Sequence, residues 1–220
     1  MKKLLLILLC CPMIGFGQLN SPRIGFKIGN SFSTVTANLN GLSLEAWNGI
    51  SEKDKTILKN PGLILGLYTT SKSRSFFING LSYKIQNELL CHQKGYKYSN
   101  IPISYIRERF NYAEMSSNFN LIILEKISLN IGPYWGLLIG GKQLKYNEND
   151  GYSSFEYDAF IFRKVDYGMN LGLSLILNET TNINLRYGQG LKNYNEGMNS
   201  KHVTCQLSLE YLFSEQQRKK

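Results

Sequence analysis

The sequence predicts an all-β protein: an eight-stranded antiparallel up-and-down transmembrane β-barrel. Three observations carry this expectation. Apolar and polar residues alternate with period two from one end of the chain to the other, so each segment has one apolar and one polar face. The connections alternate between short and long, as when all large loops lie at one end of a barrel. Glycine is concentrated on the polar parity, where a water-facing strand would instead carry Lys, Glu or Thr.

Taken in order, the chain opens MKKLLLILLCCPMIGFGQ. Lys2 and Lys3 form a positive start, Leu4 to Cys11 an apolar run, and small residues follow at Gly15 and Gly17. Residues 1–17 therefore read as a secretory signal peptide, with cleavage expected before Gln18. The run is too short to cross a bilayer as a helix. A lipoprotein signal is disfavoured because Cys10 and Cys11 follow bulky leucines. Residues 18–213 form the expected barrel and 214–220 a basic tail.

The first strand alternates Ile24, Phe26 and Ile28 with Gly25, Lys27 and Gly29. A weaker second sets Leu63, Leu65 and Leu67 against Ile64, Gly66 and Tyr68. The third sets Leu81, Tyr83 and Ile85 against Ser82, Lys84 and Gln86; the fourth sets Met115, Phe119 and Leu121 against Glu114, Ser116, Asn118 and Asn120. The fifth runs from Ile127 to Gly140 and the sixth from Asp166 to Leu175, with glycines opposite the large residues in both. The seventh holds Ile183, Leu185 and Tyr187 against Asn184, Arg186 and Gly188. In the last, HVTCQLSLEYLF, Val203, Cys205, Leu207, Leu209, Tyr211 and Phe213 oppose Thr204, Gln206, Ser208 and Glu210. Tight turns are expected near Ser71–Arg74, Leu124–Lys126 and Asn178–Thr181, and long loops over Thr36–Asn60, Cys91–Ser104, Lys142–Asp158 and Leu191–Ser200.

Which face meets water decides between a soluble barrel and a membrane barrel. Glycines crowding one parity suit a narrow lumen that side chains must fill, while large apolar residues on the other suit a lipid-facing band. Phe32, Tyr68, Phe110, Trp135, Tyr187, Tyr211 and Phe213 lie near strand ends and are expected to form an interfacial aromatic girdle. The apolar faces of all strands are thus expected to meet membrane lipid.

The stretches RIGFKIGNSFS, INGLSYKIQNELLCHQKGYKY, FNYAEMSSNFNL, LNIGPYWGLLIGGK, DYGMNLGLSL and NLRYGQGLKNY occur in that order. Together they resemble the PorT-like outer-membrane β-barrel family of gram-negative bacteria, over nearly all of the chain after the signal. The family's usual ELxYxxKG segment reads Glu88-Leu89-Leu90-Cys91-His92-Gln93-Lys94-Gly95 here. The resemblance implies an outer-membrane location and, by analogy, a link to protein secretion machinery.

The inward parity carries Lys27, Lys84, Glu88, Glu114, Asp166, Arg186 and Glu210. Buried charges are tolerated when paired, so these residues are expected to form a salt-bridged plug, with Arg186 held by Glu114, Asp166 or Glu210. A catalytic carboxylate pair, Glu88 with Glu114, is the competing functional reading. His92 and His202 lack the cluster a metal site needs. GPYWGLLIGGK lacks the Lys-Ser/Thr ending of a phosphate-binding loop. Cys91 and Cys205 read as small hydrophobes, and no cofactor is expected. The formal net charge of +9 suggests basic loops, and an exported barrel without recognition motifs is not a nucleic-acid binder. The expected function is that of a non-enzymatic outer-membrane barrel with a filled lumen. Its loops 36–60 and 142–158 bind an envelope or secretion protein. A small passive pore and an outer-membrane enzyme are the alternatives.

Overall fold

A computed structural model describes residues 23–37, 55–76, 80–100, 104–147, 151–156, 165–193 and 200–213. The expected signal peptide, the tail 214–220 and residues 38–54 and 157–164 of the expected loops lie outside the described residues. Ten strands are present: β1 (Arg23–Ala37), β2 (Lys55–Thr70), β3 (Arg74–Ser75), β4 (Leu81–Asn100), β5 (Ser104–Ile123), β6 (Ile127–Asn147), β7 (Gly151–Glu156), β8 (Val165–Ile176), β9 (Thr181–Gly190) and β10 (Ser200–Leu212). Eight of them form one closed antiparallel ring in the order β2-β1-β10-β9-β8-β6-β5-β4, and β4 pairs back onto β2. Two-residue β3 folds against the start of β4, and β7 extends the far end of β6.

Closure leaves no row of unpaired backbone groups along the wall. It also forces every strand to present one parity inward and the other outward. The outer parity carries exposed Ile28, Leu65, Leu67, Ile131, Leu171, Leu173, Leu185 and Leu207. The inner parity is polar and buried, with Lys27, Gln86, Asn118, Asn130, Asn170, Asn184, Arg186 and Gln206 each at most 2 % exposed. This reverses the usual arrangement of a globular protein.

The turns at one end are short for local reasons. Leu124 and Glu125 both adopt positive φ, 50° and 58°, and Lys126 N–H donates to Ile123 O at 3.2 Å, a tight turn inside the three-residue connection Leu124–Lys126. After β8, Asn178 Oδ1 accepts from the backbone N–H groups of Thr180 and Thr181, at 2.9 and 2.8 Å. Between β2 and β4 the connection is longer than the tight turn expected near Ser71–Arg74. It spans residues 71–80 and contains β3, and Phe76 packs on Tyr83 with ring centroids 4.9 Å apart.

At the other end three of the four long connections are shorter than expected, because pairing runs on where alternation fades, while β9 and β10 flank the expected loop Leu191–Ser200. β4 continues through Asn100 and β5 resumes at Ser104, within the expected loop Cys91–Ser104. β6 reaches Asn147 and β7 occupies Gly151–Glu156, within the expected loop Lys142–Asp158. β2 starts at Lys55, inside the expected loop Thr36–Asn60. The ladder is a backbone property and needs no apolar face. Side-chain patterning marks only the part of each strand whose two faces meet different surroundings.

One seam is irregular. The β2–β4 ladder breaks between Lys59 and Ile64, where Pro61 has no N–H to donate. Side chains supply the missing bonds. Ser33 Oγ accepts from Gly95 N–H at 2.7 Å and donates to Gly95 O at 2.8 Å. Ser31 Oγ donates to Gln93 O at 2.8 Å, and Asn60 Nδ2 to Glu108 O at 2.9 Å. Two serines of β1 thus reach past the kink in β2 to the backbone of β4.

Candidate functional site

The charged interior is the one concentration of chemistry among the described residues. Because β4 presents even-numbered residues inward, it sends Gln86, Glu88, Leu90, His92 and Lys94 into the lumen as a column. Other strands answer this column with opposite charge at two levels.

At the first level Glu88 is the centre. Arg186 of β9 donates to it through both terminal nitrogens, Nη1 to Oε2 at 2.6 Å and Nη2 to Oε1 at 2.7 Å. This fork geometry is the strong form of a carboxylate pair. Lys27 Nζ lies 3.3 Å from Glu88 Oε1 and 3.1 Å from Glu210 Oε1. Gln86 Nε2 donates to Glu88 at 2.9 Å and to Glu210 at 3.2 Å, and Ser116 Oγ donates to Glu88 Oε2 at 3.1 Å. Two cations balance two carboxylates, with side chains at most 2 % exposed.

Lys94 organises the second level. Its Nζ lies 2.7 Å from Glu114 Oε2 and 2.9 Å from Asp166 Oδ2, and 4.2 Å from the centre of the Tyr134 ring. His92 Nδ1 sits 3.1 Å from Glu114 Oε2, and Tyr134 donates its hydroxyl to Asp166 at 3.3 Å. His202 Nε2 approaches the Tyr112 hydroxyl at 3.4 Å. Glu114 Oε1, Asp166 Oδ1 and His92 Nε2 have no hydrogen-bond partner among the described residues. Val35, Phe110, Tyr112 and Leu138 pack together as a buried apolar cluster, with Tyr96 against it.

The expected lumen residues are therefore divided. Lys27, Glu88, Arg186 and Glu210 come together, and Glu114 and Asp166 meet elsewhere around Lys94. Lys84 is half-buried and makes no ion pair or hydrogen bond among the described residues. The expected partner of Arg186 is corrected. It is Glu88 that grips the guanidinium, not Glu114 or Asp166, and Glu210 binds Lys27 instead. Lys94 was missed although it shares the parity of Glu88, because its segment lacks the alternation that marks a strand.

The girdle also needs correction. Phe32, Tyr187, Tyr211 and Phe213 are exposed on the outer wall, and Trp135 is half-buried there. Tyr68 and Phe110 point into the barrel, at 2 % and 0 % exposure. Tyr68 shares the parity of Gly66, and Phe110 that of Glu114, so neither side chain can reach the outside.

Chemically, Glu88 is saturated by donors from Arg186, Lys27, Gln86 and Ser116, which leaves it poorly placed to move a proton. Glu114 sits in the other cluster, so the two carboxylates do not form a working pair. Among the described residues no group of three or more His, Cys, Asp or Glu side chains is placed to hold a metal ion. Cys91 is exposed, Cys205 half-buried, and both are free thiols.

No family model matches the sequence, and no curated protein is similar to it. Among solved structures, the chain is similar to Ail, the attachment invasion locus protein of Yersinia pestis. That match has 15% identity, covers 88% of this chain and 99% of that one, and has a TM-score of 0.40. Neisserial surface protein A gives 10% identity, 86% and 97% coverage and a TM-score of 0.47. OprG, an outer membrane protein of Pseudomonas aeruginosa, gives 12%, 87% and 97%, and 0.30.

Proposed function

We propose that this chain is an exported outer-membrane β-barrel of the PorT-like type. It is not an enzyme. Its interior is a structural plug, and its long hairpins hold an envelope or secretion partner. One observation carries the reading: the barrel wall is apolar outside and the interior polar, ion-paired and buried. An exposed apolar belt on a closed ladder suits lipid, since the strands pair their backbone groups within the wall. Arg186, Glu88, Lys94 and Asp166 occupy the space a conduction path would need, and this opposes the pore reading. In this reading residues 1–17 direct export and the mature chain begins at Gln18.

Three measurements test the proposal. Fractionation should place the protein with outer membranes, and recovery as a soluble periplasmic protein would overturn the location. Planar-bilayer recordings should show no stepwise conductance, and open-channel steps would overturn the plug. Affinity capture from membranes should recover an envelope protein with the full chain and lose it when residues 142–158 are trimmed. Identical captures would overturn the partner role of that hairpin.

A further inference from the structure

We propose that the outer wall of β2, β4 and β5 is a dimerisation surface for a second copy of this chain, with Asn87 at its centre. The inference rests on the reading that the barrel spans a membrane.

Parity puts Asn87 on the outer wall. β4 sends Gln86 and Glu88 into the lumen, so Asn87 between them shares the outer face with exposed Leu89. In register it stands opposite Thr69 of β2 and Ser117 of β5. Beyond Ser117 the ladder to β6 is interrupted between the pairs Ser116–Tyr134 and Phe119–Ile131, where Pro133 has no N–H to donate. A polar row thus crosses three strands of an otherwise apolar wall. Asn87 stands six positions along β4 from Leu81, where the strand begins. At about 3.4 Å per step and a tilt of about 40°, that is about 16 Å into an apolar belt about 25 Å tall.

The amide is unsatisfied at that depth. Asn87 is 2 % exposed, and among the described residues neither its Oδ1 nor its Nδ2 has a hydrogen-bond partner. Thr69 Oγ1, on the adjoining strand, has none either. Water can serve orphaned polar atoms inside a lumen. On the outer wall at hydrocarbon depth the solvent is acyl chain, which neither donates nor accepts. Leu67, Leu89 and Phe119 stand exposed on the same wall and supply an apolar rim. The wall across the barrel differs. Leu171, Leu173, Leu185 and Leu207 are exposed there, and no orphaned polar atom of the described residues shares their parity on β8, β9 or β10.

A partner for Asn87 must bring both a donor and an acceptor to the middle of the bilayer. A second copy does so by symmetry. Two barrels inserted the same way in one bilayer are related by a two-fold axis only if that axis runs along the membrane normal. Rotation about it keeps every residue at its own depth, so Asn87 meets its counterpart. An amide is its own complement, since each Nδ2 donates to the other Oδ1. A change of rotamer turns the amide out of the wall toward the second copy. No charge opposes the approach, because the outer parity carries none from Leu81 to Gln93 on β4 or from Asn111 to Ile123 on β5.

The test uses the full chain refolded into phosphatidylcholine vesicles, with donor-labelled and acceptor-labelled populations mixed and energy transfer followed as the protein is diluted in lipid. Transfer should persist on dilution. Asn87→Leu should weaken association about ten-fold, equivalent to about 1.4 kcal/mol. Leu185→Ala, on the opposite wall, should leave it unchanged. Random-collision transfer in the native chain, or equal association with Asn87→Leu, overturns the dimer. Transfer that appears only when outer-membrane extract is added assigns the wall to another protein and overturns the second copy. Stability is read separately by urea titration at a dilution where the chain is monomeric. Asn87→Leu should hold or raise the midpoint there, and a lower midpoint means that the amide is bonded within one chain and overturns the inference. Insertion is measured as trypsin protection in the same vesicles. Failure there overturns the membrane reading and this inference with it, whereas protection without association overturns the inference alone.

Discussion

Arg186 and Glu88 sit on strands that never pair, and their meeting spans the lumen. Removing either partner strands the other charge in a buried site, at a cost of about 3–5 kcal/mol. Arg186→Ala should therefore lower the urea midpoint of the folded barrel, and Glu88→Gln in the same chain should restore part of the loss. A double-mutant cycle measures the coupling, and strict additivity would contradict the pair. The inward direction of Arg186 was legible, because it stands between Leu185 and Tyr187 in a strictly alternating run. Its partner was not. Parity says which wall a residue leaves, but the distance across depends on strand tilt and on the kink at Pro61, neither of which alternation records. Tyr68 and Phe110 teach the converse. Their parity already placed them inside, and proximity to a strand end was the weaker signal.

At the scale of elements, the two least regular features make the sharpest tests. Ser33→Ala would leave the buried N–H and C=O of Gly95 without partners, at about 1–3 kcal/mol. Equilibrium unfolding should show that loss, while Thr34→Ala, on the opposite parity, should change little. In the β5–β6 turn, Leu124 and Glu125 hold left-handed backbone angles that cost L-residues about 1–2 kcal/mol each. Replacing the pair by Asn-Gly should raise the urea midpoint, since Asn and Gly adopt those angles at lower cost. An unchanged or lower midpoint would mean that the exposed Leu124 side chain contributes more than the strain removes. The eight barrel strands were legible because each separates two environments for most of its length. The distal ends of β2, β4, β5 and β6 were not, because Lys, Tyr and Ser suit either face of a hairpin that stands in water.

For the molecule as a whole, the two faces predict opposite responses at neighbouring positions. Leu171 is exposed on the outer wall and Asn170 is buried within. Leu171→Arg should cost about 2–4 kcal/mol on folding into bilayers, and Asn170→Ser should cost less. Equal refolding yields would reverse the assignment of the faces. The strands also differ in length around the ring. β4 and β5 have 20 residues and β6 has 21, whereas β8 has 12 and β9 has 10. Along the strand axis the long side outruns the short side by about 30 Å. Among the described strands the wall is thus a parapet over β4, β5 and β6, and the barrel has a front and a back about its axis. A large neighbour sliding toward it from behind collides with the raised hairpins. In the proposed membrane setting, an approach from the β4–β6 side meets the raised edge of the described wall first, so encounters with other molecules are directional before any specific contact forms.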